Sequence, residues 1–133
     1  MTKVKQITAW VEGKPGELGR ITTALGKAKI SISAVCFWAG GSESPIHLVV
    51  SNPAKAKTVL QEVGVRVTEE YVLRLTLGNK AGVLGEVGTR LGSGNVSIEY
   101  AYGTVPASNK TAELIISVSD VAGAIKELRG LKW

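Results

Sequence analysis

Ile7, Ala9 and Val11 alternate along the chain with Gln6, Thr8 and Trp10. A period of two is the signature of a strand with one buried face. Leu73, Leu75 and Leu77 repeat the alternation against Arg74 and Thr76. After each such stretch the spacing lengthens. Leu18, Ile21, Thr22, Leu25 and Ala28 recur at three and four residues, as do Leu84, Val87 and Leu91, which predicts an amphipathic helix in each place. Pro15 suits a first helical turn, where its missing N–H costs nothing.

The stretches "ISISAVCFWA" and "VSIEYAYGTV" are rich in β-branched and aromatic residues and predict second strands. "GGSESP" and "PASNK" read as hairpin loops, and "IHLVV" and "AELIIS" as third strands. Asn52-Pro53 and Ser119-Asp120 each predict a helix start, for "AKAKTVLQEV" and "VAGAIKELR". "VRVTEE" predicts a fourth strand in the first half, whereas the second half stops at "GLKW", so its fourth strand is short or missing.

The two halves are one unit written twice. "VEGKPGELGRI" and "LGNKAGVLGEV" start 66 residues apart, at Val11 and Leu77. Lys14, Gly16, Leu18 and Gly19 meet Lys80, Gly82, Leu84 and Gly85. Ser31 meets Ser97, and Leu48 and Ser51 meet Leu114 and Ser117. This register needs no gap from Ile7 to Ser51, and only the second helix asks for a one-residue shift. We expect two domains, residues 1–69 and 70–133. Each is a ferredoxin-like βαββαβ unit of α+β class, an antiparallel sheet with both helices on one face. Units of about 60 residues make thin cores with open sheet faces, so a homodimer is expected.

Composition narrows the setting. The chain of 133 residues is 44% hydrophobic and 20% charged, the balance of a folded globular protein. Its net charge of +5 is scattered rather than gathered into a basic arm. The start, "MTKVKQITAW", lacks the apolar core of an export signal, and no apolar run is long enough to span a bilayer. Cys36 is the single cysteine, so no internal disulfide is possible. The expected location is cytoplasmic.

A βαββαβ unit with N-x-x-G-x-L between its first strand and first helix, here Asn79 to Leu84, resembles the ACT domain. The resemblance covers the whole chain as a tandem pair. It implies a regulatory module that binds amino acids or other small effectors at interfaces between paired copies, with a separate regulated partner. The turn chemistry agrees: a helix start presents unpaired N–H groups and a positive dipole end, where a carboxylate docks. Gly82 is expected to admit close backbone approach, so that the N–H groups of Gly82, Val83 and Leu84 face an anion. By resemblance Asn79 touches the ligand, and Ser31 and Ser97 match a second polar position. The first copy has Gly13 where the second has Asn79. The second turn is therefore the expected site, with Ser31, Ser33 and Cys36 as candidates for the opposing wall, Gly16 and Leu18 as the matching candidates at the first turn, and Glu99 as a carboxylate for the ligand's ammonium.

Catalysis has little in its favour. His47 is the only histidine, and no nucleophile–base set, metal-ligand spacing or phosphate loop is present. No cofactor is expected. Nucleic-acid binding is the rival reading, because the same element order serves RNA-recognition modules and Phe37, Trp38, Tyr100 and Tyr102 lie on second strands. Against it, the K/R-G-F/Y-G/A-F-V signature is absent and neither third strand carries an aromatic residue.

Overall fold

The computed structural model describes residues 1–104 and 110–131. It has six strands and four helices: β1 (Thr2–Val11), α1 (Glu17–Lys27), β2 (Ile32–Phe37), β3 (Ser44–Val50), α2 (Pro53–Glu62), β4 (Arg66–Gly78), α3 (Val83–Ser93), β5 (Ile98–Thr104), β6 (Thr111–Val118) and α4 (Val121–Leu128). The chain falls into two compact units, one of Lys5–Glu70 and one of Tyr71–Trp133 together with Met1–Val4.

In the unit of Lys5–Glu70 the strand order is β2-β3-β1-β4. β3 runs antiparallel to β1, with Ile7 opposite Leu48 and Ala9 opposite Ile46, and antiparallel to β2. Trp10 reaches Thr68 and Gln6 reaches Glu70, so β1 and β4 also run in opposite senses. The alternating face of β1 meets Ile21, Leu25, Ala56 and Leu60 of the helices in one core. Helix α2 starts as expected: Asn52 caps it by accepting the Lys55 N–H at 3.1 Å, and Pro53 follows. Pro15 lies just before α1, whose cap is Gly16, rather than within its first turn.

The second unit repeats the plan, with β5-β6-β4 in order and the first residues of β1 beside β4. Lys3 stacks its ammonium over the Tyr71 ring, 4.4 Å from the centroid. The short fourth strand sought after α4 is not found among the described residues. Met1–Val4 belong to this unit instead, and strand β1 starts at Thr2, four residues before the alternation that opens at Gln6. Strand β4 likewise runs unbroken across Glu69–Glu70, where the sequence pattern suggests a division.

The repeat register needs one correction. Ile7 pairs with Leu48 in the first unit, and its counterpart Leu73 pairs with Ile116 in the second. The offset is thus 66 for β1 and 68 for β3 (48 to 116), so Leu48 corresponds to Ile116 and not to Leu114. Ser51 donates its N–H to Ser31 and Ser119 donates to Ser97, which confirms 68 at the end of the third strand. The two extra residues sit between β5 and β6. A slip of two keeps every side chain on its own face, so the hydrophobic pattern conceals it. The same offset carries Ala56 to Ala124 and Leu60 to Leu128, each pair buried on its helix.

The corrected register sets an expectation for stability. Leu60→Ala and Leu128→Ala each remove a side chain from a closed core and are expected to cost roughly 2–5 kcal/mol. Lys126→Ala, at the position an offset of 66 would equate with Leu60, should change stability by less than about 0.5 kcal/mol. Urea unfolding of the three variants checks both the magnitudes and the pairing.

Candidate functional site

The strand-to-helix turn of the second unit is built on one backbone conformation. Gly82 caps α3 with φ 93°, in the left-handed region, and provides no side-chain cap. Gly16 does the same for α1 with φ 91°. A Cβ at either glycine would meet nothing within 4 Å. The glycine is therefore required by its dihedral angle, not by close approach of a neighbour. Both copies share this requirement, so the repeated phrase marks the turn rather than two equal sites.

Beside the second turn lies a cleft of about 450 Å³, lined by Leu77, Asn79, Lys80, Val83, Leu84, Ala112 and Leu114, with Gly103, Thr104 and Glu113 along its strand edge. Its size falls within the range of small-molecule sites, about 300–1,000 Å³. The Asn79 N–H donates to the Lys110 carbonyl at 3.1 Å, which anchors the turn to the start of β6. Val83 is buried in the core and Leu84 is 60% exposed at the rim. The cleft exists because small residues stand where bulk would close it. A Cβ at Gly103 would lie 2.5 Å from the Glu113 carbonyl oxygen.

The first unit fills the corresponding space. Phe37 stands in the place of Gly103 and packs against the core. Ser44 stands in the place of Ala112, fully buried, and its hydroxyl accepts the Gly40 N–H at 2.7 Å. Gly13 donates to the Gly41 carbonyl at 2.8 Å, and a Cβ there would sit 3.0 Å from that oxygen and 3.0 Å from Ser44 Oγ. An asparagine cannot replace Gly13 without moving the loop. Val83's counterpart is Glu17, only 6% exposed, which Arg20 holds through two contacts at 2.7 and 3.2 Å. Those bonds keep the Glu17 carboxyl below its usual range.

The residues singled out in the sequence are dispersed. Asn79, Val83 and Leu84 line the cleft, next to the turn at Gly82. Ser97 follows the other end of α3, about 16 Å away at 1.5 Å per residue, and its N–H donates to Ser119 Oγ. Ser31 makes the equivalent bond to Ser51, and neither serine is among the cleft's lining. Glu99 is exposed at a register shift between Ile98 and Tyr100. Ser33 occupies the same bulge in the first unit, where its hydroxyl donates to the Val49 carbonyl at 3.2 Å. Cys36 is half-buried and in register with His47, and burial pushes its thiol pKa up. Gly16 and Leu18 start α1.

Glu113 carries a feature the sequence does not single out. Its counterpart is Pro45, and it faces Thr76 across the ladder while Leu114 and Leu75 face the helices. Its side chain therefore lies on the sheet face away from α3. There Oε1 accepts the Thr76 hydroxyl at 3.0 Å, and Oε2 is buried without a hydrogen bond. A carboxylate with an apolar neighbour on either side in "TAELIIS" gives no sign of this, because the signal is the cross-strand partner.

On the same face of the first unit His47 is tied into a polar group. Gln6 Nε2 donates to Glu70 Oε1 at 3.2 Å, which fixes the orientation of the amide. That nitrogen also faces His47 Nδ1 at 3.3 Å, and Thr8 Oγ1 lies 2.8 Å from the same atom. Trp38 packs its ring 5.2 Å from the imidazole. Burial lowers the His47 pKa below 6.5, against a weaker upward pull from Glu70. Among the described residues no three His, Cys, Asp or Glu are placed to hold a metal ion. No helix there is long and apolar enough to cross a membrane.

Two tandem units of the βαββαβ type, the second closed by the first residues of β1 and bearing a cleft at its first helix start, define a paired ferredoxin-like protein. A family model described as an ACT domain pair matches residues 1–128, and the chain belongs to that family. Its fold is shared by a protein of Bacteroides thetaiotaomicron that is 29% identical, with a TM-score of 0.88 over 96% of this chain and 87% of that one. The regulatory subunit of aspartate kinase from Thermus thermophilus, in a ligand-free form, has the same fold at 14% identity, with a TM-score of 0.70 over 96% of this chain and 95% of that one. Aspartokinase alpha and beta subunits give a TM-score of 0.64 at 16% identity over 96% and 95%. No curated protein matches the sequence.

The buried imidazole sets a pH dependence. His47 binds its proton less tightly in the folded chain than its ordinary value of 6.5, so the unfolded chain takes up more protons between the two values. Stability is expected to fall as pH drops from about 6.5 toward the lower folded-state value. Urea midpoints measured from pH 7.5 to 5 should fall more steeply for the parent than for His47→Gln, which keeps a polar group but does not titrate.

Proposed function

We propose that the protein is a non-enzymatic regulator that binds a free amino acid in the cleft beside Asn79. The observation that carries this is the cleft itself: it is present at the second turn of an ACT-domain pair and filled, at the corresponding place, in the first unit. The start of α3 has no side-chain cap, and Lys80 stands in the same wall. Both favour a carboxylate at that end of the cleft. Asn79 provides an amide beside it. The regulatory subunit among the structures of like fold supports a signalling role.

In this reading the chain works as a homodimer. The second copy covers the sheet face of each unit that its own helices leave open, and the effector changes the assembly or its hold on a partner protein. The setting is cytoplasmic, where free amino acids are abundant.

A thermal-shift screen over the twenty amino acids tests the function, with the mass of the assembly measured in the presence of any hit. At a hundredfold excess over Kd a ligand stabilises by about 2.7 kcal/mol, so a clear rise in Tm is expected for at least one. Calorimetry of Asn79→Ala with that amino acid should show affinity weakened about tenfold, the loss of one hydrogen bond to a charged group. Unchanged affinity would remove Asn79 from the site. No stabilisation by any of the twenty would contradict the amino-acid reading, and a salt-sensitive gel shift with RNA would replace it.

A further inference from the structure

We infer that the cleft selects an amino acid with an aliphatic side chain, a choice that rests on its being the effector site. The walls supply the reason. Leu77, Val83, Leu84, Ala112 and Leu114 contribute only hydrocarbon, and they come from β4, α3 and β6. The polar side chains on the helix side of the wall, Asn79 and Lys80, are adjacent in the turn at one end, while Thr104 pairs with Glu113 across the ladder and so shares its face, opposite to Leu114. Strand alternation directs the Glu113 side chain to the other face of the sheet, where Thr76 holds its Oε1.

These positions sort ligands by chemistry. A ligand that places its carboxylate near Lys80 and the start of α3 must lay its side chain along the aliphatic walls. A charged or amide side chain there loses water and gains no partner, which costs far more than a missing contact. Lys80 adds a positive charge and no carboxylate side chain points into the cleft, so a cationic side chain is disfavoured as well. A branched hydrocarbon removes apolar wall from water at no such cost. The volume of about 450 Å³ accommodates a whole small amino acid rather than a lone side chain.

The test uses L-leucine, L-isoleucine and L-valine against L-aspartate, L-glutamine and L-lysine, with the full-length chain and Leu84→Asp. Leu84 is 60% exposed, so the substitution does not disturb the core, and circular dichroism checks the fold. Leu18→Asp, at the matching position of the first unit, is the control. Calorimetry should show the aliphatic set binding at least about tenfold more tightly than the polar set, with Leu84→Asp losing about tenfold or more of that affinity and Leu18→Asp keeping it. Equal or tighter binding of a polar amino acid to the parent, in an Asn79-dependent manner, would overturn this inference and leave the effector site standing. Indifference of leucine binding to Leu84→Asp would also overturn it. Failure of all six to bind the parent overturns the aliphatic preference, and the screen of all twenty then decides the broader reading separately.

Discussion

A strand shows successive side chains to opposite faces, and both halves of this chain obey that constraint throughout. It determines which changes the second copy tolerates. The step from an offset of 66 at β1 to 68 at β3 is even, so Leu48 and Ile116 both face the helices. An odd step would have turned a buried row outward and a polar row inward. The bulges at Ser33 and Glu99 are retained at matching places for the same reason: each adjusts the alternation once, early in an edge strand. With the scaffold held this way, the ends of the strands are free to diverge, and the cleft lies at such an end.

The divergence is concentrated around one turn. Both copies need a left-handed glycine before the helix, at Gly16 and Gly82. What surrounds the turn decides how much open space lies beside it. In the first unit Phe37, Ser44 and the Gly13–Gly41 backbone contact occupy the space, and Glu17 turns its carboxylate to Arg20. In the second unit Gly103 and Ala112 leave it open, and Val83 replaces the ion-paired Glu17 with hydrocarbon. The repeated unit thus keeps one turn in both copies, with the space beside it filled in the first and open in the second.

Much of this was legible in the sequence. The alternation at Ile7–Val11 and Leu73–Leu77, the helical spacing after each, and the caps at Asn52 and Asp120 lead to the observed elements. The ends of those elements were less visible. Met1–Val4 belong to the unit of residues 71–133 although they open the chain, a long-range pairing that no local period reveals. The insertion between β5 and β6 was hidden because an even slip leaves the pattern intact. At the site, the contrast of Gly13 with Asn79 pointed to the second turn. The remaining lining, Gly103, Ala112 and Leu114, comes from strands distant in sequence and has no motif of its own. Ser97 and Glu99 are near the turn in the motif's logic but separated from it by the length of α3. Glu113 was missed because its identity as a buried acid depends on Thr76 across the ladder.

Backbone amide mapping by NMR during a titration with L-leucine tests most directly whether one copy alone became the receptor. Progressive, saturable shifts are expected at Asn79, Val83, Leu84 and Thr104, while Gly13, Gly16 and Leu18 stay in place. Saturable shifts centred on the first turn, or of equal size at both, would contradict the division of roles between the two copies.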